Sequence, residues 1–385
     1  MNGPRIALVA GEASGDLLAS HLIHAIRSRQ PDARFYGIGG PKMQAAGMEI
    51  LWPAEMLAVR GYAEVLRHYR KITGIRRQLL RLLRKDPPAA FIGVDAPDFN
   101  LWLEQRLKRS GIPAIHYVSP SIWAWRGGRI RRIAQSVTRI LALFPFEPPL
   151  YEKMRIPVSY VGHPLADVMP LHIEKQAARE KLGIDVARGP VFALLPGSRQ
   201  SELHYMADTF IQTGKRLLVR FPQAQFLVPT ASRETRNLFE AALWRNDAQN
   251  LPFAMLFGHA PDAMAAADVS LVASGTATLE AALIKRPHVI AYKMSPWSWR
   301  LMRRMRYQPW VGLPNILAGR FAVPEFLQDE ATPENLAQAM GNLVNDRDVT
   351  RRLELLFAGI HHTLRQDTAE KAASAVLASL AYRQA

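Results

Sequence analysis

Two small-residue turns in the second half of this chain could hold a diphosphate. The run Ser274-Gly275-Thr276-Ala277-Thr278-Leu279-Glu280 joins an apolar stretch, Val269 to Ala273, to a segment of helical pattern, Ala277 to Ile284. Ser274 fits an N-cap, and Gly275 lets a ligand approach the backbone. A helix N-terminus offers unpaired N–H groups and a partial positive charge, which suit a diphosphate. Glu280 follows Thr276 by four residues on the same helical face, where its carboxylate can accept hydrogen bonds from vicinal ribose hydroxyls. The run Leu195-Pro196-Gly197-Ser198-Arg199 has the same plan. Gly197 and Ser198 suit a tight phosphate-contacting turn, and Arg199 can fork onto a diphosphate. Either turn alone could be an ordinary capped helix. Two of them at strand ends in one half point to a nucleotide-diphosphate site.

The first half carries a different chemistry. Asp95-Ala96-Pro97-Asp98-Phe99-Asn100 follows an apolar strand, Ala89 to Val94. Pro97 favours a helix start, so Asp98 falls in the first turn, as a helix-dipole partner or as a general base facing a cleft. Gly11-Glu12-Ala13-Ser14-Gly15-Asp16 follows the first strand; Gly11, Glu12, Ser14 and Gly15 make either a small-residue loop over a cleft or a plain turn. It matches neither a Walker A loop nor a dinucleotide turn. No metal site is expected: there is no cysteine, and the 11 histidines lack ligand spacing. Asp346-Arg347-Asp348 reads as a solvated turn, and His361-His362 as a surface pair.

Positioning such turns takes alternating strands and helices. With 385 residues, 49% of them hydrophobic, the chain can build two packed domains. Strands are expected at Arg5 to Ala10, Arg34 to Ile38, Ala89 to Val94, Ala114 to Val118 and Ile140 to Phe144. A second set is expected at Val191 to Leu195, Gln225 to Val228, Ala254 to Phe257, Val269 to Ala273 and His288 to Tyr292. Helical segments between them indicate parallel sheets. The expectation is two doubly wound, Rossmann-like α/β domains, 1–165 and 166–345, facing a cleft. A helical tail, 346–385, would pack across domains or subunits.

The formal charge of +16 calls for an anionic partner. From Val65, apolar residues Tyr69, Ile72, Ile75, Leu79 and Leu82-Leu83 recur at helical spacing among Arg67, Arg70, Lys71, Arg76 and Arg77. Trp297, Trp299 and Trp310 mingle with Arg300, Arg303, Arg304 and Arg306; Trp123 and Trp125 precede Arg126, Arg129, Arg131 and Arg132. A helix like 65–85 can pack on a core with a solvated basic face. Three aromatic–basic clusters together favour an anionic membrane surface, met through Val65, Tyr69, Ile72, Arg76, Arg77, Trp297 and Trp299. No secretory signal or membrane-spanning run is read, so a cytoplasmic protein touching the membrane from the side is expected.

In their order along the chain, these motifs closely resemble the lipid-A-disaccharide synthase family, inverting glycosyltransferases of bacterial outer-membrane lipid synthesis. The resemblance spans nearly the whole chain: G-E-A-S-G-D at 11–16, D-A-P-D-F-N at 95–100, H-Y-V-S-P-S-I-W-A-W-R at 116–126, G-H-P-L-A-D at 162–167, L-P-G-S-R at 195–199, S-G-T-A-T-L-E at 274–280 and L-P-N-I-L-A-G-R at 313–320. It implies the two-domain GT-B architecture. It implies transfer of 2,3-diacylglucosamine from UDP-2,3-diacylglucosamine to 2,3-diacylglucosamine 1-phosphate, giving a β-1′,6-linked disaccharide phosphate and UDP. It implies neither metal nor cofactor, and peripheral association with the inner membrane; a homodimer stays open. Asp98 would be the general base. Arg199, Gly275 and Thr276 would hold the leaving UDP, Glu280 the ribose, and Asn315 a sugar or phosphate group. Arg60 departs from the family, which has an apolar residue there. Another GT-B enzyme, such as a lipid-linked N-acetylglucosaminyl transferase or a UDP-sugar epimerase, shares the phosphate turns and stays open. A nucleic-acid-binding protein would explain the charge but not Glu280 or the Arg199 turn, so no nucleic-acid partner is expected.

Overall fold

The computed structural model describes residues 3–57, 65–123, 127–185, 189–305 and 308–381; Arg60, Trp125 and Arg306 lie outside them. The side chains of Val65, Tyr69 and Arg304 are likewise outside the description. The chain divides into two units, Met1–Asp167 with Leu364–Ala385, and Val168–Thr363. The helical tail is therefore not one piece. Its first helix, Arg347–Leu364, belongs almost wholly to the second unit, and its last, Thr368–Ala381, to the first.

In the first unit, β1 (Arg5–Ala10), β2 (Arg34–Gly39), β3 (Glu49–Pro53), β4 (Ala90–Val94), β5 (Ala114–Tyr117), β6 (Arg139–Ala142) and β7 (Val158–Tyr160) form one parallel sheet. Its order is β3-β2-β1-β4-β5-β6-β7. Side chains alternate across a strand, so each face of β1 serves a different core. Ile6, Leu8 and Ala10 pack with Leu22 and Ile26 of the helix Ala13–Arg29 and with Ala372 and Val376 of Thr368–Ala381. Ala7 and Val9 pack with Leu79 and Leu83 of the helix Val65–Lys85 and with Leu103 and Leu107 of Pro97–Arg109. Each fully buried Val, Leu or Ile side chain of these contributes roughly 1.5–3 kcal/mol.

The G-H-P-L-A-D motif receives the returning chain. The Asp167 carboxylate accepts the backbone N–H groups of Gln366 at 2.9 Å, Asp367 at 3.1 Å and Thr368 at 2.7 Å, capping the last helix. Gly162 sits at φ +88°, where a Cβ would lie 2.6 Å from the Leu364 carbonyl oxygen. Only glycine meets both demands.

In the second unit, β8 (Val191–Leu195), β9 (Gln225–Thr230), β10 (Phe253–Phe257), β11 (Val269–Ala273), β12 (His288–Tyr292) and β13 (Glu325–Leu327) form a second parallel sheet. Its order is β10-β9-β8-β11-β12-β13. All five residues of both β8 and β11 are buried, as a parallel sheet covered on both faces requires. His361 departs from the expected surface pair: it is fully buried, and Lys285 Nζ donates to its Nδ1 at 2.5 Å.

Candidate functional site

Each sheet grows outward in both directions from a central pair, β1 with β4 and β8 with β11. Ligands of open α/β sheets bind beyond the carboxyl ends of the strands at such a switch point. The four motif turns start at those four strand ends: 11–16 after β1, 95–100 after β4, 195–199 after β8 and 274–280 after β11.

In the first unit the chain leaves β4 through two consecutive left-handed residues, Asp95 at φ 52° and Ala96 at φ 45°. Such backbone costs about 1–3 kcal/mol per residue and needs support. Asp95 N–H donates to the Tyr117 carbonyl at 2.8 Å, and Asn100 Nδ2 donates to the Asp95 carbonyl at 2.7 Å. The bend launches the helix Pro97–Arg109 with Asp98 in its first turn. The Asp98 side chain is 82% exposed, and Arg129 Nη2 donates to its Oδ1 at 3.0 Å. The 11–16 loop lies against this bend, since a Cβ on Gly11 would touch Ala96 Cβ at 3.4 Å. Gly11 and Gly15 are buried, whereas Glu12 and Ser14 are exposed. Asp16 is structural: its carboxylate accepts the N–H groups of Gly40, Lys42 and Met43 at 2.9–3.0 Å.

Two buried acids behind this edge were not singled out from sequence. Glu104 Oε1 meets His116 Nδ1 at 2.7 Å with both side chains fully buried. Burial pushes the Glu104 carboxyl up, and the charge and hydrogen bond of His116 pull it back. Glu104 interrupts the apolar stripe of Leu101, Leu103 and Leu107, which was its signal in the sequence. Glu147, beyond β6, accepts Leu143 N–H at 3.1 Å, Phe144 N–H at 3.0 Å and Trp123 Nε1–H at 3.2 Å. Trp123 also packs edge-on against Phe144 and Phe146. This tryptophan is therefore tied into the first unit.

The second unit supplies the diphosphate features, with two changes. The helix Thr276–Leu283 has Gly275, not Ser274, as its N-cap, and no side chain caps it. Ser274 N–H is drawn back to the Ala291 carbonyl at 3.2 Å, which leaves Gly275 and Thr276 exposed at the helix end. Glu280, one turn on, is half-buried; burial pushes its carboxyl up, and no partner accompanies it among the described residues. At the other turn the backbone is already engaged: Glu202 Oε2 accepts Ser198 N–H at 2.9 Å and Arg199 N–H at 3.2 Å. Gly197, at φ +126°, is required because a Cβ would stand 2.5 Å from Glu202. What this turn offers an anion is the Arg199 guanidinium, 79% exposed.

Asn315 does not present its amide to a ligand. It is fully buried. Its Nδ2 donates to the Val323 carbonyl at 2.9 Å and to Glu325 Oε1 at 2.7 Å. Its Oδ1 accepts Ala322 N–H at 2.7 Å and Val323 N–H at 2.8 Å. Two donors and two lone pairs are all an amide has. The expected sugar or phosphate contact is thus corrected to a clip that shapes the 311–325 segment.

The membrane-facing residues also divide. Ile72 packs against the first unit's core, with Ile75, Leu79 and Leu83 of the same stripe buried there. Arg76 lies over the Trp102 ring at 4.2 Å and donates to the Asp98 carbonyl at 3.4 Å. Both are thereby half-buried on the first unit, Ile72 on its core and the Arg76 guanidinium on an aromatic face. Arg77 is exposed, Trp299 is half-buried, and Trp297 is 80% exposed. Among the described residues no helix is long and apolar enough to cross a membrane, and no three His, Asp or Glu gather as metal ligands.

Solved structures with this architecture include the UDP-N-acetylglucosamine 2-epimerase from Neisseria meningitidis, with TM-score 0.61, 11% identity and coverage of 98% of this chain and 100% of that one. The calicheamicin glycosyltransferase CalG4 gives TM-score 0.62 at 14% identity, over 99% of each chain. At such identities these neighbours establish the GT-B fold alone. The sequence relatives say more. A lipid-A-disaccharide synthase from Azoarcus sp. (strain BH72) is 63% identical over 374 residues, 97% of this chain and 95% of the relative. One from Dechloromonas aromatica (strain RCB) is 63% identical over 377 residues, 98% of each. The family model described as lipid-A-disaccharide synthetase matches residues 6–378, a span that contains every motif turn above, so the chain belongs to this family of glycosyltransferases.

Proposed function

We propose that the protein transfers 2,3-diacylglucosamine from UDP-2,3-diacylglucosamine to the 6-hydroxyl of 2,3-diacylglucosamine 1-phosphate. The acceptor oxygen bonds to the anomeric carbon, and the bond from that carbon to the UDP oxygen breaks in the same displacement. The configuration inverts, and the product is β-1′,6-linked. Asp98 takes the hydroxyl proton as general base. The bonding pair leaves with UDP, whose diphosphate is met by Arg199 and by the exposed N-terminus of the helix Thr276–Leu283. Glu280 accepts the ribose hydroxyls. These groups take the place of a metal. Trp297 and the arginines around it hold the protein at an anionic inner-membrane surface, where both acylated substrates reside.

The observation that carries this reading is family membership over nearly the whole chain, with each motif turn beginning at a switch point. The half-buried Glu280 supports the ribose role, because a partly desolvated carboxylate without a partner gains most from hydroxyl donors. The test is incubation of the purified chain with both acylated substrates, with and without EDTA. Disaccharide phosphate and UDP should appear in equal amounts in both. Asp98→Asn should lose turnover while still binding UDP. Near-normal turnover by that variant would remove Asp98 as the base, and no disaccharide from wild-type protein would remove the transferase reading.

A further inference from the structure

Two guanidiniums meet Asp98, Arg129 at its carboxylate and Arg76 at its backbone carbonyl, so positive charge exceeds what this one carboxylate balances. Arg129 donates to Asp98 Oδ1 at 3.0 Å with its own side chain 27% exposed, so it is partly sheltered yet open on one side. A guanidinium has five N–H donors in a planar fork, and this contact uses one of them. Arg76 and Arg106 flank the Trp102 ring at 4.2 and 3.6 Å. Burial holds the Arg106 guanidinium below its ordinary range, and so do the charges of Arg109, Arg84 and Arg132. Arg106 lies farther along the helix Pro97–Arg109, whose other acid, Glu104, is fully buried against His116, so among the described residues the carboxylate recorded against Arg129 is Asp98, itself mostly exposed.

Such an imbalance suits a ligand bearing two negative charges. The UDP diphosphate is assigned above to the second unit. The acceptor carries the other phosphate, a monoester across the sugar ring from its reacting hydroxyl. A hydroxyl directed at Asp98 leaves that phosphate a ring's width away, within the span of the arginine side chains.

We propose that Arg129 is the acceptor-phosphate residue: its free guanidinium edge binds the 1-phosphate while its neighbour Asp98 takes the 6-hydroxyl, so that one ion pair reads both ends of the acceptor. Guanidinium is chemically suited to this because its fork matches two phosphate oxygens. No covalent step is added. This assignment rests on the transferase reading and names the residue that selects the acceptor.

The experiment compares two acceptors, 2,3-diacylglucosamine 1-phosphate and its dephosphorylated form, at saturating donor in mixed micelles. Wild type should prefer the phosphorylated acceptor in kcat/KM. Arg129→Ala should shrink that preference roughly 10- to 100-fold, as expected for loss of a charge-assisted hydrogen-bonded pair. The loss should lie in acceptor KM, leave donor KM unchanged and be partly restored in Arg129→Lys. Arg81→Ala, an exposed arginine on the helix Val65–Lys85, should keep the wild-type preference. If Arg129→Ala loses activity equally on both acceptors, Arg129 acts only by positioning Asp98, and the assignment is overturned. Undiminished preference in Arg129→Ala also overturns it while leaving the transferase reading intact. Wild-type protein that joins neither acceptor to the donor overturns both.

Discussion

Glu147 gives a stability prediction whose sign and size follow from its surroundings. It is buried to 2% exposure, and burial pushes its carboxyl from an ordinary 4.5 up to about 7. Hydrogen bonds from Phe144, Ser119, Leu143 and Trp123 pull the other way and only limit the rise. Because the folded state holds this proton more tightly than the unfolded chain, its contribution is fully present below pH 4.5 and is lost as pH climbs to about 7. At about 1.4 kcal/mol per tenfold change in proton affinity, the group accounts for up to about 3 kcal/mol across that window. Glu147→Gln removes the titration. Its amide can accept the Leu143 and Phe144 N–H groups through oxygen, but it then turns its NH2 toward Trp123 Nε1–H. That leaves two donors facing each other at a cost of about 1–3 kcal/mol. The variant should therefore be less stable at pH 5, and the gap should narrow by up to about 3 kcal/mol by pH 8. Urea unfolding of both proteins at several pH values, followed by tryptophan fluorescence and circular dichroism, measures the difference. A gap constant with pH, or one that widens as pH rises, would refute the reasoning.

Asn315→Ala should lower stability by about 2–4 kcal/mol, because it removes the acceptor of the Ala322 and Val323 N–H groups. An unchanged melting temperature with a raised donor KM would instead put Asn315 in direct contact with the donor. Trp297→Glu should leave the melting temperature alone, since the ring is 80% exposed, yet weaken co-sedimentation with anionic vesicles by about tenfold or more. Binding of Trp297→Glu equal to wild type would show that this tryptophan does not meet the lipid.

The interior strands were legible because parallel strands covered on both faces read as continuous apolar runs. The strands not foreseen, β3, β7 and β13, are all at sheet edges. An edge strand needs less apolar sequence, and the residues of β7 and β13 are only partly buried. β3 ends on Pro53, and β7 follows Pro157, in a stretch that reads as a domain boundary. The stripe on the helix Val65–Lys85 was ambiguous for a different reason. Periodicity shows that a helix has an apolar face but not what covers it. In the described part of the helix the cover is the first unit's core.

The motif turns were legible because turn chemistry is local: glycine, a small hydroxyl and a following helix identify a strand-end turn wherever it lies. Sequence does not show which hydrogen-bonding capacity the fold consumes. Asn315 and Glu280 look equally suited to a ligand when read as residue types. In the structure Asn315 has all four of its hydrogen bonds made within its own unit, whereas Glu280 is half-buried without a partner among the described residues. The same distinction separates the two diphosphate turns. Glu202 occupies the Ser198 and Arg199 N–H groups, but no side chain caps the helix beginning at Thr276. An anion arriving at the first turn must rely on the Arg199 side chain, and at the second it can use the backbone itself. Among the residues proposed above for the site, Asp98, Arg199, Thr276 and Glu280 keep hydrogen-bonding capacity for a ligand. Asp16, Asp167 and Asn315 spend theirs on backbone N–H groups at 40–43, 366–368 and 322–323.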